Sequence, residues 1–241
     1  MFEDFINADV RKTREVVPIT EESLVNRYQA TLPRSLVDGA TVLDVGSATG
    51  SAGKWCFDHG AKSYTGIELQ DNYYQVSKRL LPDGEFIQSD AVEYLKTCDR
   101  QWEVVIAAGV IHGYFNPFEI IQLLCKVTTD TLIIESFETH EPAFPTIHFR
   151  PANMVYDSDM SKPFHGITTF IGSQALELIM NEYGFVGERI YPKPIIVGND
   201  TYNTNVRLSP NLPEQKVRYI YKFVRAETNK QSLQHKITGA V

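Results

Sequence analysis

Three acidic residues each stand where a short apolar run of the sequence ends. Asp44 lies in "VLDVG", Glu68 in "TGIEL" and Asp90 in "FIQSD". If the three runs are parallel strands of one sheet, their carboxyl ends meet at one edge, where such sheets bind their ligands. Each acid alone could simply be the N-cap of the helix that follows. Together, three carboxylates around one edge favour a ligand that carries positive charge.

A glycine-rich turn follows Asp44 and leads into a predicted helix. In "GSATGSAG", Gly46 and Gly50 allow the backbone to approach a ligand without an intervening side chain. The N–H groups at the start of the helix then offer a site for an anion. Ala48 interrupts the G-x-G-x-x-G pattern that is typical of dinucleotide binding.

Two classes of ligand fit a turn of this kind: a dinucleotide such as NAD, and S-adenosylmethionine. Asp44 favours S-adenosylmethionine, because a carboxylate repels a pyrophosphate but attracts an ammonium and a sulfonium. Glu68 fits the ribose hydroxyls of either ligand and does not discriminate between them. Asp90, together with the backbone of Ala91, is placed to accept the adenine amino group.

The acids and the turn belong to a regular alternation of strands and helices that begins near Ala40. Short runs rich in Val and Ile alternate with stretches whose apolar residues have helical spacing, such as Phe118, Ile121 and Leu124. This alternation is typical of parallel βαβ units. With two more strands near the C-terminus, it predicts an α/β fold: a doubly wound, mostly parallel seven-stranded sheet with helices on both faces.

We expect a single domain made of five segments. The N-terminal segment contains a predicted helix at about Glu21–Ala30 that ends near Pro33. Residues 138–171 show no periodicity and are predicted to be an insertion that acts as a lid, placed between the fifth strand and the last helix. The segments are residues 1–39, an N-terminal helical preface; 40–137, the cofactor-binding half; 138–171, the lid-like insertion; 172–225, a C-terminal helix and two strands joined by a long hairpin loop; and 226–241, a polar tail.

The motifs of the second segment resemble the Rossmann-like (class I) S-adenosylmethionine-dependent methyltransferases. They read, in order, "DVGSATG", "GIEL", "QSDA", "VVIAAGVIHGYFNP" and "LIIESF". The resemblance implies S-adenosylmethionine as the cofactor. The cofactor contacts that it implies are Asp44, Gly46, Ser47, Gly50, Glu68, Leu69, Asp90, Ala91 and the residues Ala107, Ala108 and Gly109. Ala48 stands where many members have glycine, and we expect slightly tighter packing there without loss of binding.

A second similarity concerns the segments "GVIHGYFNPFEIIQLL" and "FIGSQALELIMNEYGF". They are similar to a subgroup of these enzymes that acts on tRNA wobble uridine. In that subgroup the histidine stands at the position of Gly113, whereas in this chain it is His112. We therefore take no substrate from this similarity.

The chemistry expected of such a site is an in-line displacement at a sulfonium that leaves a neutral thioether. The protein chiefly has to align the reactants and exclude water, and a base is needed only if the nucleophile must lose a proton. His112, just beyond the fourth predicted strand, is our candidate catalytic base, with a packing histidine as the alternative. Tyr114 could orient the substrate or wall the pocket, and Glu135 could cap or support the fifth strand.

The predicted insertion supplies further candidates for substrate binding. These are His140, His148 and Arg150, of which Arg150 could bind a carboxylate or phosphate or could simply be solvated. The histidines of this region, including His165, match no metal-ligand spacing, and we predict no metal. The stretch "YQVSK" fits the Y-x-x-x-K of short-chain dehydrogenases, but it lies too early in the fold for that role.

Composition and charge narrow the choice of partners. The formal net charge of −7 does not favour non-specific binding to a nucleic acid backbone, so nucleic acid stays an alternative partner and is not our first choice. We see no apolar run long enough to span a membrane and no signal peptide, and three separated cysteines predict reduced, buried thiols. We expect a cytoplasmic enzyme with a small-molecule substrate, and the sequence makes no prediction of the oligomeric state.

Four functions remain open from the sequence. The first is a methyltransferase that methylates an oxygen or a nitrogen of a small molecule. The second is an enzyme of the same fold that acts on tRNA, and it would require a basic surface. The cations that could form this surface are Arg11, Lys12, Arg14, Arg27 and Arg34. The third is a non-catalytic protein that binds the cofactor or a partner, and the fourth is a nicotinamide oxidoreductase. The transferred group could also be a derivative of methyl.

Overall fold

A seven-stranded β-sheet with helices on both faces forms the centre of the protein. The computed structural model describes residues 2–9, 20–138, 145–151, 167–192, 195–197, 200–203, 206–208 and 217–226. The helices are α1 (Glu3–Ala8), α2 (Glu21–Thr31), α3 (Arg34–Val37), α4 (Ser51–Asp58), α5 (Asp71–Leu80), α6 (Ala91–Thr97), α7 (Pro117–Val127) and α8 (Ser173–Glu182). The strands are β1 (Thr41–Val45), β2 (Ser63–Glu68), β3 (Glu85–Gln88), β4 (Trp102–Ala108), β5 (Thr128–Glu138), β6 (Ile147–Pro151), β7 (Ile167–Ile171), β8 (Phe185–Ile190), β9 (Ile195–Val197), β10 (Asp200–Asn203), β11 (Val206–Leu208) and β12 (Val217–Arg225).

The strand order of the main sheet is β3-β2-β1-β4-β5-β12-β8. Strands β1 to β5 pair in parallel, and β12 runs antiparallel between β5 and β8. This arrangement confirms the predicted α/β fold with a mostly parallel, seven-stranded sheet. The order along the chain reverses between β1 and β4, and ligands of such sheets bind beyond the carboxyl ends of the strands at this point.

Alternating side chains of β1 pack into two separate cores, one on each face of the sheet. Val42 is buried with Leu24 of α2 and Trp55 of α4, whereas Leu43 is buried with Leu95 of α6 on the opposite face. Successive side chains of a strand point to opposite faces. A strand that is covered on both faces therefore reads as a continuous apolar run, which is the pattern that made β1 recognisable in the sequence.

The helix α2 is capped at its start and tied to α4 at its end. Thr20 Oγ1 accepts a hydrogen bond from the Ser23 N–H at 3.1 Å, and Ser23 Oγ accepts one from the Thr20 N–H at 2.9 Å. At the other end, Trp55 Nε1 donates to the Leu32 carbonyl at 2.8 Å. The helix matches the predicted one to within a residue, and these contacts hold it beside the glycine-rich turn that precedes α4.

The predicted lid-like insertion, residues 138–171, contains a pair of strands that the sequence analysis did not identify. Strands β6 and β7 pair in antiparallel register, with Phe149 opposite Thr169 and Arg150 opposite Thr168. The strands were not identified because each has only five residues. The sequence of β6, IHFRP, alternates apolar and polar residues but ends in proline, and that of β7, ITTFI, does not alternate. The role of the segment as a lid stays a prediction.

The long hairpin loop predicted before the last strand also contains regular structure. Strands β9, β10 and β11 form a three-stranded antiparallel sheet. Each has three or four residues, too few for a periodic pattern to be visible in the sequence.

Two expectations about the whole chain can be compared with the structure. Cys56, Cys98 and Cys125 are free and buried, as predicted. Within the described residues, no helix combines the length and the apolar character that crossing a membrane requires.

Candidate cofactor-binding site

The glycine-rich turn between β1 and α4 lies at the reversal point of the sheet. Gly46 and Gly50 have φ angles of 74° and 83°, in the left-handed region that only glycine adopts without strain. A side chain at Gly46 would also collide, because its Cβ would lie 2.5 Å from Val110 Cγ2, beyond the end of β4. The turn therefore brings bare backbone to the ends of β1 and β4.

Ala48 is the one residue other than glycine with a positive φ, 48°, among the residues that the structure describes. The sequence led us to expect tighter packing here, but the consequence is a strained backbone rather than a filled space. The Ala48 N–H donates a hydrogen bond to Glu68 Oε2 at 2.8 Å, and this bond helps to hold the strained turn in place.

Asp44 is a buried acid with a hydrogen-bond partner on the neighbouring strand. It is 4% exposed, and its Oδ2 accepts a hydrogen bond from the Tyr64 hydroxyl at 2.6 Å. Burial raises the pKa of Asp44 to about 6, while the Tyr64 hydrogen bond and the positive charge of Arg27 oppose the rise. The carboxylate is therefore mostly charged at neutral pH, but it is held in a site where an added cation would be strongly stabilised.

Glu68, the last residue of β2, joins two loops. Its Oε2 accepts the hydrogen bond from Ala48, and its Oε1 accepts one from the Gln70 N–H at 2.8 Å. A carboxylate oxygen can accept more than one hydrogen bond, so ribose hydroxyls would have to share these oxygens with the backbone. Leu69, the next predicted contact, is 41% exposed beside it.

Asp90 has the structural role of an N-cap, the alternative given above for each acid. Its Oδ1 caps α6 by accepting hydrogen bonds from Val92 N at 2.8 Å and Glu93 N at 3.1 Å. Its Oδ2 accepts a hydrogen bond from the Tyr114 hydroxyl at 3.3 Å. Burial and the nearby Asp90 raise the pKa of Tyr114, so its hydroxyl stays a donor. Ala91 is the first residue of α6 and is buried.

A cavity lies between the glycine-rich turn, the ends of β4 and β5, and α2. It is lined by, among others, the residues used in the argument below: Arg27, Tyr28, Asp44, Ser47, Gly109 and Glu135. Ser47 Oγ is buried and has no hydrogen-bond partner within the described part of the chain, so it is available to a ligand. Buried acids, a close backbone and an unused hydroxyl fit a small, polar and cationic group. Ala108, another predicted contact, also lines this cavity, whereas Gly50 does not.

The helix α2 contributes to this cavity in a way that the sequence did not reveal. Arg27 forms an ion pair with Glu135 at 2.6 Å, and their side chains are 17% and 1% exposed. The Tyr28 hydroxyl lies 2.7 Å from Ser51 Oγ, at the start of α4. Arg27, named above as a candidate for an RNA-binding surface, is therefore paired with a buried carboxylate. Of the other candidates, Arg11, Lys12 and Arg14 lie outside the described residues. No periodicity of the sequence distinguishes Arg27 from a solvated arginine.

His112 lies in the 3₁₀ turn Ile111–Gly113 that follows β4. It is 4% exposed and does not line the cavity described above. The turn is braced by the strand pair β6–β7, because Thr169 Oγ1 donates to the carbonyl of Tyr114 at 3.1 Å. The role of His112 as a base and that of Tyr114 in substrate binding stay predictions.

The remaining candidates for substrate binding lie on β6 or outside the described residues. His148 and Arg150 belong to β6, and His140 lies outside the described residues. Phe149, between them on the same strand, is 57% exposed and lies 6.2 Å from the ring of Phe115, which is 53% exposed. The described residues contain no group of three or more His, Cys, Asp or Glu side chains placed to hold a metal ion.

Several solved structures share this fold at low sequence identity. Magnesium protoporphyrin IX methyltransferase (ChlM) from Synechocystis PCC 6803 with bound S-adenosylhomocysteine (SAH) gives a TM-score of 0.54, at 14% identity over 93% of this chain and 94% of that chain. The N-terminal domain of EvdMO1 with SAH bound gives a TM-score of 0.56, at 14% identity over 86% of this chain and 82% of that chain. YcgJ from Bacillus subtilis gives a TM-score of 0.57, at 11% identity over 86% and 100%.

Comparison of sequences adds a distant curated relative. No protein-family model matches the chain. The tRNA U34 carboxymethyltransferase of Photobacterium profundum is 25% identical over 201 residues, which are 78% of this chain and 58% of the relative. The chain therefore spans less than two thirds of the length of that curated relative.

Replacement of Ala48 by glycine is expected to stabilise the protein. The glycine relieves the left-handed strain at φ 48° and keeps the N–H that donates to Glu68. We expect the free energy of unfolding in urea to rise by about 0.5–1 kcal/mol, since part of the relief is offset by the greater freedom of glycine in the unfolded chain. Ala52→Gly inside α4 is the control and should cost about 1 kcal/mol. A loss of stability in Ala48→Gly would contradict the account of the turn.

Asp44→Asn is expected to stabilise the protein at neutral pH, by an amount that falls in acid. The folded-state pKa of about 6 lies above the ordinary value of 3.8. The stability that comes from protonating Asp44 is thus fully present below about pH 4 and is lost as the pH rises through 6. Asparagine does not ionise, so it does not lose this stability, and its side-chain oxygen still accepts the hydrogen bond from Tyr64. The gain should be at most about 3 kcal/mol near pH 7.5, and about half of that near pH 5.

Urea denaturation of both proteins across this pH range measures the difference. Asp83→Asn, at an exposed turn, is the matched control and should show no such trend. An Asp44→Asn variant that is less stable than the wild type at neutral pH, or whose gain does not depend on pH, would contradict the burial of a charged Asp44.

The sheet order, the glycine-rich turn at its reversal point and the shared architecture of the solved structures agree with one another. The chain has the fold of the Rossmann-like S-adenosylmethionine-dependent methyltransferases.

Proposed function

We propose that the protein uses S-adenosylmethionine to methylate a small-molecule acceptor. The observation that carries the proposal is the cavity at the ends of β1, β4 and β5, in which the buried carboxylates of Asp44 and Glu135 face a bare glycine turn. Such a cavity favours a ligand with positive charge and disfavours a pyrophosphate. ChlM and EvdMO1, which share the fold, were solved with SAH bound.

Under this proposal, an acid at the end of each of three neighbouring strands binds a different part of the cofactor. Asp44 would hold the ammonium of the methionine portion, Glu68 the ribose hydroxyls, and Asp90 with the backbone of Ala91 the adenine amino group. Asp44 lies near the end of β1, Glu68 is the last residue of β2 and Asp90 comes two residues after β3. The three strands are adjacent and parallel, so the acids lie along one edge of the sheet. Gly46 and Gly109, just beyond β1 and β4, carry no side chain at this edge.

The proposed reaction requires the protein chiefly to bind the cofactor and the acceptor and to align them. When bound, S-adenosylmethionine supplies an electrophilic methyl group on a sulfonium, and the leaving group is neutral, so the site needs no acid. The protein would exclude water by the cover of α2 and hold the acceptor in line with the methyl group. For an acceptor that must lose a proton, His112 beyond β4 would take that proton.

The surface on the acceptor side supports a small molecule with an apolar part. Phe115 and Phe149 are both more than half exposed and their rings are adjacent. Arg27 is paired with Glu135 inside the protein, whereas Arg34 on α3 is exposed. The net charge of −7 is what disfavours a phosphate backbone as the acceptor.

A tRNA acceptor is the second candidate, because the relative from Photobacterium profundum is a tRNA U34 carboxymethyltransferase at 25% identity. The name of this relative also makes carboxymethyl a candidate for the transferred group, in place of methyl. The match covers 58% of the relative, so the activity of that whole protein comes to this chain only as a proposal.

The test is the fate of a labelled methyl group. The protein is incubated with methyl-labelled S-adenosylmethionine and either a small-molecule extract or total tRNA, and the label in each fraction is measured. We expect label in the small-molecule fraction. Asp44→Asn should bind the cofactor at least about tenfold more weakly, because it removes the charge that faces the ammonium. Asp83→Asn is again the control.

The possible outcomes separate the functions. Label in the tRNA fraction would replace the small-molecule acceptor by tRNA. Cofactor binding without labelled product in either fraction would contradict methyl transfer and would leave a non-catalytic protein or the transfer of a different group. His112→Asn should lower the turnover number by at least about a hundredfold without changing cofactor affinity, if the acceptor must lose a proton. Unchanged turnover in this variant would show that His112 is not the base.

A further inference from the structure

Arg27 is the one cation among the described residues that line the cavity. The two acids that line it are Asp44 and Glu135, so the cavity carries a net charge of about −1 when both are ionised. S-adenosylmethionine has one carboxylate, one ammonium and one sulfonium, so its net charge is opposite in sign to that of the cavity. This agreement concerns only the total charge. The carboxylate of the cofactor would still need a cation beside it, because a buried anion without a partner is costly.

We propose that Arg27 of α2 binds the α-carboxylate of the cofactor's methionine portion, with Glu135 holding the guanidinium in position. The proposal rests on the proposed function and names a residue that neither the motifs nor the glycine-rich turn contain. A guanidinium has five N–H donors in a planar fork, so it can contact Glu135 on one edge and a ligand carboxylate on another. The side chain is 17% exposed and its partner 1% exposed, so the pair is shielded from competing water and salt.

The local structure holds Arg27 in place. The next residue, Tyr28, lies with its hydroxyl 2.7 Å from Ser51 Oγ, on the first residue of α4. Its ring is also packed against Trp55, with ring centroids 5.9 Å apart. One turn further on, the Thr31 hydroxyl donates to the Arg27 carbonyl at 2.9 Å. The segment of α2 that carries Arg27 is therefore fixed against the helix that starts at the glycine-rich turn, where the methionine portion is expected.

A purely structural role is the alternative, in which Arg27 only neutralises the buried Glu135. The two roles differ in one respect: a carboxylate-binding residue distinguishes ligands with and without that carboxylate, whereas a structural residue affects both ligands equally. The experiment therefore compares S-adenosylmethionine with its decarboxylated analogue by calorimetric titration of the full chain.

The main variant is chosen so that neither member of the ion pair is left without its partner. The double variant Arg27→Gln/Glu135→Gln removes both members of the pair, which is better tolerated than removal of one. Glu135→Gln alone keeps Arg27 available, and Arg27→Lys keeps the charge without the fork. Arg34→Gln on α3, whose side chain is 74% exposed, is the matched control.

We expect the wild type to prefer S-adenosylmethionine over the decarboxylated analogue by about 10- to 100-fold, the usual effect of a hydrogen bond between charged groups. The double variant should lose this preference by binding S-adenosylmethionine more weakly while keeping its affinity for the analogue. Arg27→Lys and Glu135→Gln should each retain part of the preference, because the first keeps the charge without the fork and the second removes the carboxylate that positions it. Arg34→Gln should retain all of it. Thermal unfolding without ligand would verify that each variant is folded.

The results that overturn the proposal are distinct from those that overturn the function. If the wild type binds both ligands but the double variant keeps the preference, or loses both ligands equally, Arg27 does not bind the carboxylate and the proposed function stands. If the folded wild type binds neither ligand, the proposed function fails and this inference fails with it.

Discussion

The burial of carboxylates at the carboxyl end of the sheet is the constraint on which the site depends. Asp44 and Glu135 are 4% and 1% exposed, and a buried charge is costly unless it is paired or hydrogen-bonded. Tyr64 on β2 and Arg27 on α2 supply those partners, each at 2.6 Å. The pairing of β2 with β1 and the docking of α2 are therefore as necessary to the site as the acids themselves.

The acids at this edge serve the fold as well as a ligand. Glu68 holds the strained turn through Ala48, and Asp90 caps α6 and accepts a hydrogen bond from Tyr114. A carboxylate that is already oriented by the backbone loses little freedom when a ligand arrives, which favours binding. It also means that substitution of Glu68 or Asp90 would change stability and binding together, whereas Asp44, whose charge opposes folding, is expected to separate the two effects.

The central half of the chain could be predicted from the sequence because its signals are local. Val42 and Leu43 are buried on opposite faces, so β1 appears as an apolar run, and the acids at positions 44, 68 and 90 follow from the alternation of strands and helices. The contribution of Arg27 could not be predicted, since it depends on how α2 packs against residues far along the chain. The left-handed φ of Ala48 leaves no periodic trace either, and β6 and β7, with five residues each, are too short for a pattern to distinguish them from a loop.

The central claim is that the buried carboxylates of Asp44 and Glu135, at the carboxyl end of the sheet, favour a cationic nucleoside over a diphosphate. Calorimetric titration of the wild-type protein with S-adenosylmethionine and, separately, with NAD⁺ tests it most directly. The account predicts saturable binding of S-adenosylmethionine, and affinity for NAD⁺ that is at least about a hundredfold lower because like charges would meet in a partly dry site. Binding of NAD⁺ as tight as that of S-adenosylmethionine, or tighter, would contradict it.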